Sequence, residues 1–307
     1  KTEHLCFDFR HFAKLQTVVR QLNDSVQNIN RQKSENMKFI YYSLIFILVT
    51  LTSCSNAFKI NDPIPKHDSL TIVSKFVNET RRINIWTPPN YNQTTDSLPI
   101  LYMPDGGLKE DFPHIANTLD TLIKQNKIPP YILVGIENTV RRRDLSGPSK
   151  VEYDLKHFPE PGGAENFRGF IKNELFPIID KKYRTSGKKA IIGESAAGLF
   201  VIETFMLAPD MFDNYIAMDP ALWFNEQYLV KNFEELTKSN NYTNTKLWFA
   251  GSSAVDIAPH TNDLNLKLKN GKNGLIWKYE NEPKEKHNTI FRATKEKAII
   301  WTLNKAE

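Results

Sequence analysis

The chain has 307 residues, 40% of them hydrophobic and 24% charged, with a formal net charge of +5; this is length for one large domain or two small ones, in an ordinary globular composition. Basic residues are interleaved with acids, as in Lys109-Glu110-Asp111 and Lys284-Glu285-Lys286, which excludes the concentrated basic stripe of a nucleic-acid surface. The two cysteines, Cys6 and Cys54, form neither a zinc pattern nor a disulfide framework.

Residues 1–36 precede the first methionine, Met37, and read as upstream or non-native extension. From Met37 the chain has a positive Lys38, an apolar stretch over 39–52 and the ending Leu51-Thr52-Ser53-Cys54. This is a secretory signal, too short for the roughly 20 apolar residues of a spanning helix. Its end resembles a bacterial lipobox, which implies cleavage before Cys54, acylation of the Cys54 thiol and an exported protein anchored to a membrane, facing the periplasm. Residues 54–68 are then a polar linker, and 69–307 the catalytic domain.

From residue 69 strands and helices alternate. Period-two spacing predicts antiparallel edge strands at 70–73 and 82–86. Buried strands follow at 98–103 and 131–136, the second a continuous apolar run suited to a parallel strand covered on both faces. A helix is predicted near 114–125. Residues 137–163 form a long loop, of the kind that is usually functional. Its basic run Arg141-Arg142-Arg143, with Asp144 next, reads equally as solvated loop or as a site for an anionic ligand. A helix over 165–182, a strand over 189–192 and a helix over 196–207 come next. Strands at 215–218, 247–250 and 275–279 and helices at 226–238 and 289–303 complete an α/β sheet sandwiched by helices.

The stretch Ile191-Ile192-Gly193-Glu194-Ser195-Ala196-Ala197-Gly198 places a serine at a strand-to-helix corner with small residues two positions away on either side. That is the requirement of a nucleophile elbow, and the free N–H groups of the following helix face the same spot. Ser195 is the candidate nucleophile. In an α/β-hydrolase the chain order is Ser, acid, His. His260 and His287 are the histidines after Ser195; His287, in the loop after the last strand, is the candidate base. Asp256, the first carboxylate after the strand at 247–250, is the candidate acid, with Glu280, Glu282 and a bare Ser-His dyad left open.

These residues resemble an esterase family of α/β-hydrolases that includes esterase D, enterochelin-type siderophore esterases and feruloyl esterases. The similarity runs through Arg82-Ile83-Asn84-Ile85-Trp86, Pro104-Asp105-Gly106, Phe170-Ile171-Lys172-Asn173-Glu174-Leu175-Phe176-Pro177, the Ser195 segment and Asp219-Pro220-Ala221-Leu222-Trp223-Phe224. The resemblance implies an α/β-hydrolase fold, a mostly parallel central sheet with antiparallel N-terminal strands and helices on both faces. It implies carboxylester hydrolysis through an acyl-enzyme, on siderophore or glycan-linked acyl or feruloyl esters, without metal or organic cofactor. It also places oxyanion donors at Ala196 and at Gly106 or Gly107. Trp223 and Arg143 are candidate substrate contacts. The alternatives are a non-catalytic binding lipoprotein of the same fold and an acyltransferase.

Overall fold

A computed structural model describes residues 62–271 and 274–304; Cys54 and the signal-like segment lie outside them. Eight strands form one sheet: β1 (Asp68–Val73), β2 (Thr80–Trp86), β3 (Leu98–Pro104), β4 (Ile132–Ile136), β5 (Thr185–Glu194), β6 (Asn214–Met218), β7 (Lys246–Gly251) and β8 (Ile276–Asn281). Their order is β1-β2-β4-β3-β5-β6-β7-β8. The β1–β2 and β2–β4 pairings are antiparallel and the rest parallel. All eight strands read from the sequence are present, as is the α/β-hydrolase architecture.

The central strands are apolar on both faces because each face has its own core. Ile191, Tyr215, Ala217, Leu247 and Phe249 pack into one cluster, and their neighbours Ala190, Ile192, Ile216, Met218, Trp248 and Ala250 into the other, as the two-residue period of a strand requires. The second cluster is closed by the helices Phe112–Lys124 and Ile290–Leu303. The first is closed chiefly by Ala164–Phe170, Phe176–Lys182 and Ala196–Leu207. Ala196–Leu207 is buried at every position but Leu207, so it lacks a polar face altogether.

Three departures from the sequence reading have local causes. The helix expected over 165–182 contains a π turn, Ile171–Leu175. Pro177 has no N–H to continue the i→i−4 ladder there, so the turn widens. The helix expected over 226–238 is divided into Phe224–Lys231 and Phe233–Thr237, and Asn225, Glu226 and Gln227 are all left-handed (φ 50°, 51° and 65°). The long loop carries two short helices, Arg141–Asp144 and Glu152–His157.

That loop is bolted to β2. Arg143 Nη1 donates to Glu79 Oε1 at 2.6 Å and Nε to Asp144 Oδ1 at 2.9 Å, while fully buried Arg81 pairs with Asp144 Oδ2 at 2.6 Å. At the leading end, Asp62 pairs with Arg292 in the first turn of Ile290–Leu303, and Asn117 Nδ2 donates to the Pro63 carbonyl. Among the described residues no helix is long and apolar enough to cross a membrane.

Candidate active site

β5 ends at Glu194 and the next helix begins at Ala196, so Ser195 makes the whole reversal, at φ 58° and ψ −116°. A non-glycine residue in the left-handed region is strained and persists only where packing imposes it. The packing here is tight: a Cβ added to Gly193 would lie 2.6 Å from the Ala197 carbonyl carbon. One added to Gly198 would lie 3.0 Å from the Met218 oxygen. The corner is further tied to β6 by Ser195 N–H donating to Met218 O (3.0 Å) and Ala221 N–H donating to Ser195 O (3.1 Å).

His287 arrives from the loop after β8. That loop is folded across the end of β7 by Ser253, whose N–H and hydroxyl both donate to the Glu285 carbonyl (2.9 and 2.8 Å). The Ser195 hydroxyl donates to His287 Nε2 at 3.0 Å, and His287 Nδ1–H donates to Asp219 Oδ2 at 2.7 Å. Asp219 is fully buried. It accepts two more hydrogen bonds, from Ser252 N–H (2.6 Å) and the Ser252 hydroxyl (2.7 Å). The Asp219 bond holds the His287 pKa above the usual histidine value against the opposing effect of burial, and Glu194 adds to the rise.

The carboxylate on His287 is therefore Asp219 and not Asp256. The imidazole reaches past β7 to the end of β6. The buried place directly after β7 is filled by Ser252, the donor that orients Asp219, and Asp256 is exposed four residues further on. Glu280 and Glu282 pair with Lys278 and Lys297, and His260 lies within the helix Ala258–Lys269.

The oxyanion assignments separate as well. The Ala196 N–H, at the first position of its helix, has no partner among the described residues. The Gly106 N–H is spent on the Ile136 carbonyl (2.9 Å), and an added Cβ there would lie 2.2 Å from Ile136 N; it is a sheet contact, not an open donor. The Gly107 N–H donates to Glu110 Oε2 at 2.7 Å. Burial raises the Glu110 pKa.

Arg143 is likewise a structural residue, consumed by Glu79 and Asp144. The arginine of the basic run that reaches the site is Arg141. It grips Asp105 through two bonds of 2.6 and 2.7 Å and extends Nη2 to the Glu194 carbonyl at 3.4 Å. Trp223 is half-buried, edge-on to Tyr153 (5.6 Å) and Phe158 (5.7 Å), in the turn that Ala221 fastens to Ser195. Sequence reasoning missed Asp219 as the acid and Ser252 as its donor, and within the basic run it singled out Arg143 where Arg141 reaches the site. The legible signal was Asp219 directly after the apolar run that ends at Met218.

A family model described as "Putative esterase" matches residues 74–299. The chain belongs to that esterase family. This esterase is 31% identical over 232 residues to ferri-bacillibactin esterase BesA of Bacillus subtilis, covering 68% of its own length and 76% of that protein. Among solved structures it resembles an IroE-like serine hydrolase from Shewanella oneidensis, with a TM-score of 0.70 and 28% identity over 77% of this chain and 79% of the other. Siderophore hydrolase EstB from Aspergillus nidulans shares the fold, with a TM-score of 0.65 at 18% identity over 78% and 96% of the two chains. The esterase is a carboxylic ester hydrolase of the serine class.

Proposed function

We propose that this esterase cleaves the ester bonds of a siderophore through Ser195, His287 and Asp219. The observation that carries the reading is the unbroken line of hydrogen bonds from Ser195 Oγ through the imidazole to a buried carboxylate, at 3.0 and 2.7 Å. In the forward step Ser195 Oγ attacks the ester carbonyl carbon and His287 Nε2 takes its proton. Asp219 stabilises the imidazolium without itself becoming protonated. The Ala196 N–H meets the oxyanion, a contact of the kind whose loss costs about 10²–10³ in rate. The imidazolium gives its proton to the departing alcohol, leaving an acyl-Ser195 ester. Water, activated by the same imidazole, then releases the acid.

The substrate class is supported by the 31% identity with an esterase of ferri-bacillibactin. The half-buried Trp223 beside exposed Tyr153 offers aromatic surface on the same rim. The test is Ser195→Ala. It removes fluorophosphonate labelling and p-nitrophenyl acetate hydrolysis, and in the wild-type protein siderophore esters outrun acetylated xylan and feruloyl esters. Labelling that persists in Ser195→Ala refutes the nucleophile; a preference for glycan esters refutes the substrate class. The alternative of a non-catalytic module is tested by the same assay, complete inertness of the folded wild-type protein towards p-nitrophenyl acetate favouring it.

We also infer export and lipid anchoring through Cys54. The support is the sequence pattern from Met37 to Cys54. Mass spectrometry of the purified protein tests it, an unmodified Cys54 or an intact segment 37–53 overturning it.

A further inference from the structure

The side chain just before the nucleophile is a carboxylate, and it is placed against the imidazole. Glu194 Oε1 lies 3.6 Å from His287 Nε2, the nitrogen that receives the Ser195 proton. Its side chain is only 19% exposed, and Arg141 of the short helix Arg141–Asp144 touches the Glu194 carbonyl. His287 therefore stands between two carboxylates. Asp219 is hydrogen-bonded to Nδ1, whereas Glu194 faces Nε2 without bonding it.

We propose that Glu194 is a positioning residue for the reaction, an ionisable partner that stabilises the His287 imidazolium in the transition state and couples the activity to its own protonation. The inference rests on the Ser195–His287–Asp219 reading.

The charge environment supplies the reason such a group is sensitive. Burial pushes the Glu194 pKa up to about 7, with His287 and Arg141 opposing the rise and Asp111 and Asp105 adding to it. Asp111 precedes the helix Phe112–Lys124, Asp105 follows β3 and Arg141 opens the short helix Arg141–Asp144, so the charges that act on Glu194 come from several elements. Glu194 in turn adds to the rise of the His287 pKa, and at 3.6 Å the two ionise as a coupled pair rather than as separate residues. The sign follows. Above neutrality Glu194 is ionised and favours the imidazolium that forms as Ser195 attacks. As pH falls Glu194 takes up a proton, and the enzyme then behaves as if the charge were absent.

The test is the pH profile of kcat/KM for p-nitrophenyl acetate, from about pH 5 to about pH 9, a span that brackets histidine titration. Glu194→Gln, nearly isosteric, should be slower than wild type by roughly tenfold above neutrality, the size of a partly screened charge contact. The two profiles should converge at the acid end, and the variant's acid limb should lie at lower pH. Glu194→Asp, which keeps the charge, should recover most of the wild-type rate above neutrality. Direct titration of the His287 imidazole by NMR in a Ser195→Ala background should show its pKa lowered by Glu194→Gln. A variant-to-wild-type ratio that is constant with pH, or an unchanged imidazole titration, overturns the proposal. Persistent hydrolysis by Ser195→Ala would instead overturn the triad on which it rests, so the two failures are distinguishable.

Discussion

Asp219 shows how a single residue escapes a linear reading. Its backbone is left-handed, φ 46°, a conformation Asp tolerates better than most residues, and proline follows it. The sequence search looked for the acid after the strand next to the histidine loop. It found Asp256 because chain order says nothing of how far an imidazole reaches across a sheet. Ser195 and His287 were legible because each is marked locally, one by small residues flanking a strand-to-helix corner, the other by its place after the last strand. Asp219→Asn would present an amide N–H or a weaker acceptor to His287 Nδ1 and favour the wrong tautomer. We expect kcat to fall by about 10³–10⁴, as removing the carboxylate of a serine triad does. Asp256→Asn should stay within a few-fold of wild type. Parallel steady-state kinetics on the two variants check both expectations.

At the scale of elements, the eight strands were readable because apolar runs of four to six residues bounded by turns leave little else for the chain to do. Their order was not. β4 lies between β2 and β3, and pairing between distant segments has no local signature. The loop 137–163 was recognised as long and functional in character, but its internal helices are too short to leave a period. Besides the ion pairs to β2, a second buried carboxylate ties it to the turn after β6. Asp154 Oδ2 accepts from the Ser149 hydroxyl (2.6 Å) and the Asn225 N–H (2.7 Å), the second at the start of the three left-handed residues after Trp223 and Phe224. Asp154→Ala leaves that N–H unpaired, at a cost of about 1–3 kcal/mol, and frees the Tyr153–Trp223 wall. We expect a raised KM for bulky esters with fluorophosphonate labelling of Ser195 hardly changed. A loss of both together would show that the wall also supports the elbow.

At the scale of the molecule, the ion pairs that lock the loop to β2 set part of the acid stability. The hydrogen bond from Arg143 holds the Glu79 pKa at about 2, burial opposing and Thr139 and Arg81 assisting, against an ordinary value of 4.5. A depressed carboxylate contributes stability that is complete above its unfolded pKa and is lost as pH falls through the folded one. Glu79→Gln should therefore lower the urea midpoint near neutral pH, and the gap to wild type should close progressively between about pH 4.5 and about pH 2. A gap independent of pH would assign the effect to packing.

The contact between Asp62 and Arg292 has a spatial corollary. Arg292 sits in the opening turn of the helix that follows the His287 loop, so Asp62 clamps that helix five residues after the base. Substitutions at Asp62 therefore bear on the placement of that helix, and through it on the base, more directly than their distance in sequence suggests.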